Sequence, residues 1–115
     1  MIESLLKKLP WDKGRQGTGY SKIKLLESRR LKCDAYLLYY PTGSEIPPHT
    51  DKVESGRHYR LNIVLKQARK GGRFICLNPL ISRFRVNLFR PDIDEHAVTK
   101  IEDGYRILFS VGWIR

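Results

Sequence analysis

The sequence predicts a mainly β protein, a sandwich or barrel of short strands, and three observations lead there. Apolar and aromatic residues alternate with polar ones over short runs, most clearly in residues 59–65 (YRLNIVL); this is the period-two pattern of a strand with one buried face. Turn formers such as Pro41-Thr42-Gly43-Ser44, Asn78-Pro79 and Glu102-Asp103-Gly104 separate the runs, so that strands recur at roughly the 8–12-residue spacing of all-β folds. The chain has 115 residues, which suits a single domain over 1–115 with its core over about 33–115.

Taken in order, residues 2–8 read as a short N-terminal helix, with Ile2, Leu5 and Leu6 on one face and Pro10 ending it. Residues 11–19 hold three glycines and read as a loop. Gly17-Thr18-Gly19 lacks the spacing of a phosphate-binding loop and is read as a turn. Residues 20–27 alternate as a strand, with a short helix as the rival reading, and 28–32 form a basic turn. Strands are then expected over 34–40, 46–51, 59–65, 73–77, 84–89, 95–101 and 105–113. The segment 66–72 (KQARKGG) serves as a basic hairpin connection. There is no internal repeat and no low-complexity segment.

With 41% hydrophobic and 30% charged residues, the composition is that of a folded globular domain rather than a disordered chain. No apolar run approaches the roughly 20 residues of a membrane helix, and the charged start of the chain does not resemble a secretory signal. The two cysteines, Cys33 and Cys76, lie in apolar runs and are read as reduced core thiols, which points to the cytoplasm. Twenty-two basic against twelve acidic residues give a formal charge of +10. That leaves nucleic acid or another anionic partner open, although the basic residues are scattered and no nucleic-acid motif accompanies them.

The chemistry centres on Pro47-Pro48-His49-Thr50-Asp51. Two residues apart on a strand, His49 and Asp51 would share a face and present an imidazole and a carboxylate together. Alone, such a pair is weak and needs a third ligand. The other histidines are His58, in a charged run, and His96, at the start of a predicted strand. His49, Asp51 and His96 together make a two-histidine, one-carboxylate set that leaves open positions on the metal, the arrangement of non-haem Fe(II) oxygenases, and iron ranks above zinc. Arg106 follows ten residues after His96 in an apolar run. A guanidinium is costly to bury unpaired, and its planar fork suits a carboxylate. The competing reading of Arg106 is an ion pair with Asp103 or Glu102.

From residue 34 onward the chain resembles the Fe(II)/2-oxoglutarate-dependent dioxygenases. The matching pieces are Tyr40-Pro41, Pro48-His49-Thr50-Asp51, Gly71-Gly72-Arg73-Phe74, Glu95-His96-Ala97-Val98 and Gly104-Tyr105-Arg106. Some of these look like the prolyl hydroxylases. Arg60-Leu61-Asn62 and the ending Tyr105-Arg106-Ile107-Leu108-Phe109 look more like the aspartyl/asparaginyl β-hydroxylases. That second group lacks the metal-binding acid, which this chain has in Asp51. The resemblance implies a double-stranded β-helix (jelly-roll, cupin-like) core. It implies Fe(II) on His49, Asp51 and His96, 2-oxoglutarate as cosubstrate and O2 as oxidant. Arg106 would pair with the distal carboxylate of 2-oxoglutarate, and Tyr40 and Arg60 fall where relatives place further cosubstrate contacts. For Tyr40 and Arg60 the competing readings are packing and salt bridging.

The activity so implied is hydroxylation of a C–H bond, with a peptidyl side chain as the leading substrate and release of succinate and CO2. A nucleobase or a small metabolite is the alternative substrate. The alternative function class is a catalytically inactive jelly-roll module that binds nucleic acid through its basic surface.

Overall fold

The computed structural model describes residues 8–14 and 18–115. The helix expected over 2–8 falls outside these residues except for Lys8, which lies in a turn, and no helix occurs among the described residues. The strands, in chain order, are β1 (Asp12–Lys13), β2 (Ser21–Ser28), β3 (Cys33–Tyr40), β4 (Ile46–His49), β5 (His58–Lys66), β6 (Lys70–Gly71), β7 (Phe74–Cys76), β8 (Ile81–Arg83), β9 (Val86–Phe89), β10 (His96–Val98), β11 (Ile101–Asp103) and β12 (Arg106–Ile114).

One layer is a seven-stranded sheet in the order β1-β2-β3-β12-β5-β9-β8. Facing it are a three-stranded sheet, β4-β10-β7, and the pair β11-β6. The alternation seen in the sequence sorts side chains between the layers. Arg106, Leu108 and Ser110 of β12 are nearly inaccessible to solvent, while Phe109 and Val111 on the other face are only partly covered, with Ile107 buried at the start of the strand. Tyr40, Val64 and Leu108 of the large sheet meet Val98 and Ile101 of the smaller ones to form the core. β12 runs between β3 and β5, placing Arg106 opposite Tyr40 and Ser110 opposite both Tyr36 and Asn62.

Several boundaries differ from expectation. The strand expected over 95–101 is split into β10 and β11. Thr99 breaks it, its N–H donating to the Arg73 carbonyl (2.9 Å) and its hydroxyl accepting from the Arg73 N–H (2.8 Å). The strand expected over 84–89 begins at Val86, because Phe84 and Arg85 form the tip of a β8–β9 hairpin in which Arg85 takes φ 66°. The expected strand 46–51 stops at His49. Its prolines lie on an edge strand, where missing donors cost no ladder bond. Residues 20–27 are strand, not helix. Cys33 and Cys76 are free thiols at strand ends, half-buried rather than in the core.

Candidate metal centre

β4 and β10 pair so that His49 and His96 are directly opposite one another. Their ring centroids lie 4.3 Å apart. Asp51 lies just beyond β4, in a loop rather than on the strand. Its N–H donates to the Pro91 carbonyl at 2.6 Å, which ties the carboxylate back toward the two imidazoles. The Asp51 oxygens sit 3.6 Å from His49 Nε2 and 3.4 Å from His96 Nε2. One donor atom from each of the three residues falls within 4.8 Å of the others.

The other ring nitrogens decide what this cluster can do. His49 Nδ1 lies 2.9 Å from the Pro47 carbonyl, and His96 Nδ1 lies 3.0 Å from the Asp94 carbonyl. A carbonyl only accepts, so each Nδ1 donates to it and each Nε2 is the nitrogen left to face Asp51 and to serve as a ligand. Two oriented imidazole lone pairs and one carboxylate make a donor set that fits a divalent transition metal. Phe89 packs on the His96 ring at 5.0 Å between centroids, and Phe74 at 6.4 Å, holding the ring in place.

The cluster opens into a cavity of about 310 Å3 that also reaches Tyr40, Arg60 and Arg106. Arg106 is 3% exposed, and its guanidinium lies 5.2 Å from the centroid of the Tyr40 ring. No carboxylate pairs with it among the described residues, and its Nη1 is buried without a hydrogen-bond partner. Asp103, one of the acids considered as its partner, pairs with Arg69 instead (3.2 Å). Burial pulls the Arg106 pKa down, opposed by its interaction with Tyr40. Burial also pushes the Tyr40 phenol well above its ordinary value, opposed by the positive charge of Arg106. The pair therefore places a proton-bearing hydroxyl beside a cation that has no counter-ion among the described residues.

Arg60 is placed differently. Its Nη2 donates to Asp34 Oδ1 at 2.6 Å and its Nη1 to Ser110 Oγ at 2.7 Å. The guanidinium crosses β12 to do so, passing over Gly112, where any Cβ would overlap it. Arg60 and Arg106 thus stand toward opposite ends of the cavity, since the β12 residues beside them, 112 and 106, are roughly 20 Å apart along a strand. His58, the other histidine weighed as a ligand, lines the cavity without joining the cluster. Asn62, read from the sequence as a strand residue on the face of Arg60, has a buried Oδ1 without a partner among the described residues, and Asn87, opposite it in the register, was not singled out. Sequence reasoning also passed over Phe74 and Phe89, which read as core strand residues until the register puts them against His96.

No protein-family model matches the sequence, and no curated protein matches it as a relative. Solved structures do match. The cupin domain of a Schizosaccharomyces pombe protein aligns with a TM-score of 0.63 at 15% identity, covering 96% of this chain and 72% of its own. The fold is a cupin-type jelly roll. KdgF from Halomonas sp. aligns with a TM-score of 0.61 at 13% identity, covering 95% of this chain and 91% of its own. The viral collagen prolyl hydroxylase of Paramecium Bursaria Chlorella virus-1, solved as its 2OG complex, aligns with a TM-score of 0.59 at 13% identity, covering 84% of this chain and 79% of its own. The double-stranded β-helix expected from the sequence is the fold adopted. Among the described residues no helix is long and apolar enough to cross a membrane.

Proposed function

We propose that the protein is an Fe(II)- and 2-oxoglutarate-dependent dioxygenase that hydroxylates a C–H bond, with a peptidyl side chain as the leading substrate. The observation that carries this reading is the buried, unpaired Arg106 in the same cavity as the oriented His49, Asp51 and His96 cluster. A jelly roll that served only as a scaffold would gain nothing from a guanidinium held in its core without an acid. A dicarboxylate that reaches from the metal cluster to Arg106 supplies the missing counter-charge. The likeness to a prolyl hydroxylase solved with 2OG supports the same reading.

His49, Asp51 and His96 would hold the metal, with the Pro47 and Asp94 carbonyls fixing the ring tautomers. Arg106 would pair with the distal carboxylate of 2-oxoglutarate, and the Tyr40 hydroxyl, kept protonated by burial, would donate to the same group. Arg60, already engaged by Asp34 and Ser110, would form the far wall of the cavity. When bound, the iron and 2-oxoglutarate supply the oxidising chemistry with O2: the keto acid leaves as succinate and CO2, and one oxygen atom is inserted into the substrate C–H bond. Phe74 and Phe89 shield one side of His96 from water.

The test is anaerobic thermal unfolding with Fe(II) and 2-oxoglutarate, followed by measurement of succinate in air. The expected results are a stabilisation that needs both ligands, slow succinate formation without substrate, and loss of iron from His96→Ala. An unchanged melting temperature with no succinate would sink the enzyme reading, and full iron stoichiometry in His96→Ala would sink the ligand assignment.

A further inference from the structure

Beside the metal cavity lies a second hollow of about 490 Å3, and its lining has one sign of charge. Arg69, Lys70, Arg73, Arg85 and Arg106 contribute to it, with no aspartate or glutamate among the lining residues. Arg69 is engaged at the rim by Asp103, and Arg85 donates to the Leu65 carbonyl at 3.2 Å. The side chains of Lys70 and Arg73 have no hydrogen-bond or ion-pair partner among the described residues. The scattered +10 charge of the sequence is therefore locally concentrated, because the 66–73 connection and the β8–β9 hairpin both face this groove.

At the tip of that hairpin stands Phe84, which is 80% exposed. Its ring is covered on one side by the Arg85 guanidinium, 5.2 Å from the ring centroid. Arg85 adopts φ 66°, a left-handed conformation that a non-glycine residue rarely takes and that orients this tip. Phe84 is absent from the core and leaves a flat π-face in water. A flat aromatic face beside a basic groove, in which Lys70 and Arg73 are unengaged among the described residues, is the pairing that recognises unstacked bases on a phosphate backbone.

We propose that this groove, with Phe84 at its rim, binds single-stranded nucleic acid. Lys70 and Arg73 take successive phosphates, and Phe84, backed on one face by Arg85, stacks its other face with a base. A duplex would satisfy the cations but keep its base faces hidden, so the exposed ring selects for a single strand. This site stands independently of the dioxygenase reading. Phe74 and Arg106 line both hollows, so a strand held here would lie against the wall of the metal cavity.

The test is fluorescence anisotropy of the full chain with a labelled oligothymidylate of about a dozen nucleotides, within the range a single-strand site covers. Inorganic polyphosphate, poly-glutamate and a duplex of equal charge serve as competitors. Binding is expected to weaken steeply with salt. Lys70→Glu with Arg73→Glu should weaken it at least ten-fold and flatten the salt dependence. Phe84→Ala should weaken oligothymidylate binding by about ten-fold and leave polyphosphate binding unchanged. These residues are exposed or lie outside the metal cluster, so thermal unfolding and iron binding should stay at the wild-type level and serve as the folding control. Absence of binding at low salt would overturn the proposal. So would equal competition by polyphosphate, poly-glutamate or duplex together with an unaffected Phe84→Ala variant, which would leave only an unspecific anion surface.

Discussion

Arg106→Met separates the cost of the proposed cosubstrate site from its use. Arg106 is 3% exposed, and its Nη1 is buried without a hydrogen-bond partner among the described residues. A buried unsatisfied donor costs about 1–3 kcal/mol, more when charged. The Tyr40 ring face beneath the guanidinium returns about 1 kcal/mol of that. Methionine keeps the length and flexibility of the side chain without the charge, and such exchanges of buried ions for apolar groups are often stabilising by about 1–4 kcal/mol. The net expectation is a gain of about 1–2 kcal/mol. For a domain of 115 residues this amounts to a rise in melting temperature of about 4–8 °C.

With iron and 2-oxoglutarate the order reverses. Wild-type protein with the keto acid at a hundred times its dissociation constant gains about 2.7 kcal/mol. In Arg106→Met the distal carboxylate would be buried without a cation, at a loss of about 3–5 kcal/mol, or more than a hundred-fold in affinity. The 2-oxoglutarate-dependent shift should then vanish while the iron-dependent shift remains. The assay is differential scanning fluorimetry of both proteins, with metal alone and with metal and keto acid. If Arg106→Met melts lower than wild type and still responds to 2-oxoglutarate, then Arg106 is a structural residue and the reasoning fails.

Two further predictions test the far end of the cavity. Gly112→Ala puts a methyl group where the Arg60 guanidinium lies, and overpacking of this kind costs about 1–3 kcal/mol. Combining it with Arg60→Ala should cost clearly less than the sum of the two single changes in urea unfolding, and simple additivity would show that the two do not touch. The pKa of His58 is lowered from the ordinary value of 6.5, by burial first and then by the positive charge of Arg60. Above that pH the ring is neutral in both the folded and the unfolded state. Below it the unfolded chain takes up a proton that the folded chain resists, so stability falls as pH drops from about 6.5 and levels off below the native pKa. His58→Gln should flatten this part of the pH–stability curve of the metal-free protein; an unaltered slope would assign it to other groups.

What could be read from the sequence follows the range of the interactions. The longer strands of the large sheet, β2, β3, β5, β9 and β12, were legible because alternation is local, and the grouping of His49, Asp51 and His96 was legible because its residue types and order are rare in combination. How Asp51 reaches the histidines was not. Strand alternation was expected to place it, yet the strand ends at His49, and a backbone hydrogen bond to Pro91, forty residues away, brings the carboxylate round. The strands β6 and β8 are two and three residues long, too short for any period to register. The Arg60–Asp34 pair spans three strands and depends on a register that puts Gly112 between them, information that no local window holds.

The two arginines of the cavity show why residue type alone could not assign their roles. Both line the same cavity, and both fall in stretches whose resemblance to the dioxygenases implied cosubstrate binding. Arg60 has an acid within 2.6 Å and a hydroxyl within 2.7 Å, so its charge is compensated and an incoming carboxylate would have to compete with Asp34. Arg106 has an aromatic face and an unpartnered nitrogen, so an incoming carboxylate removes a cost that the fold already carries. The difference in affinity for a carboxylate would therefore originate in how the fold already satisfies the two guanidiniums. On the proposed function it makes Arg106 the anion site and Arg60 a brace across β3, β12 and β5.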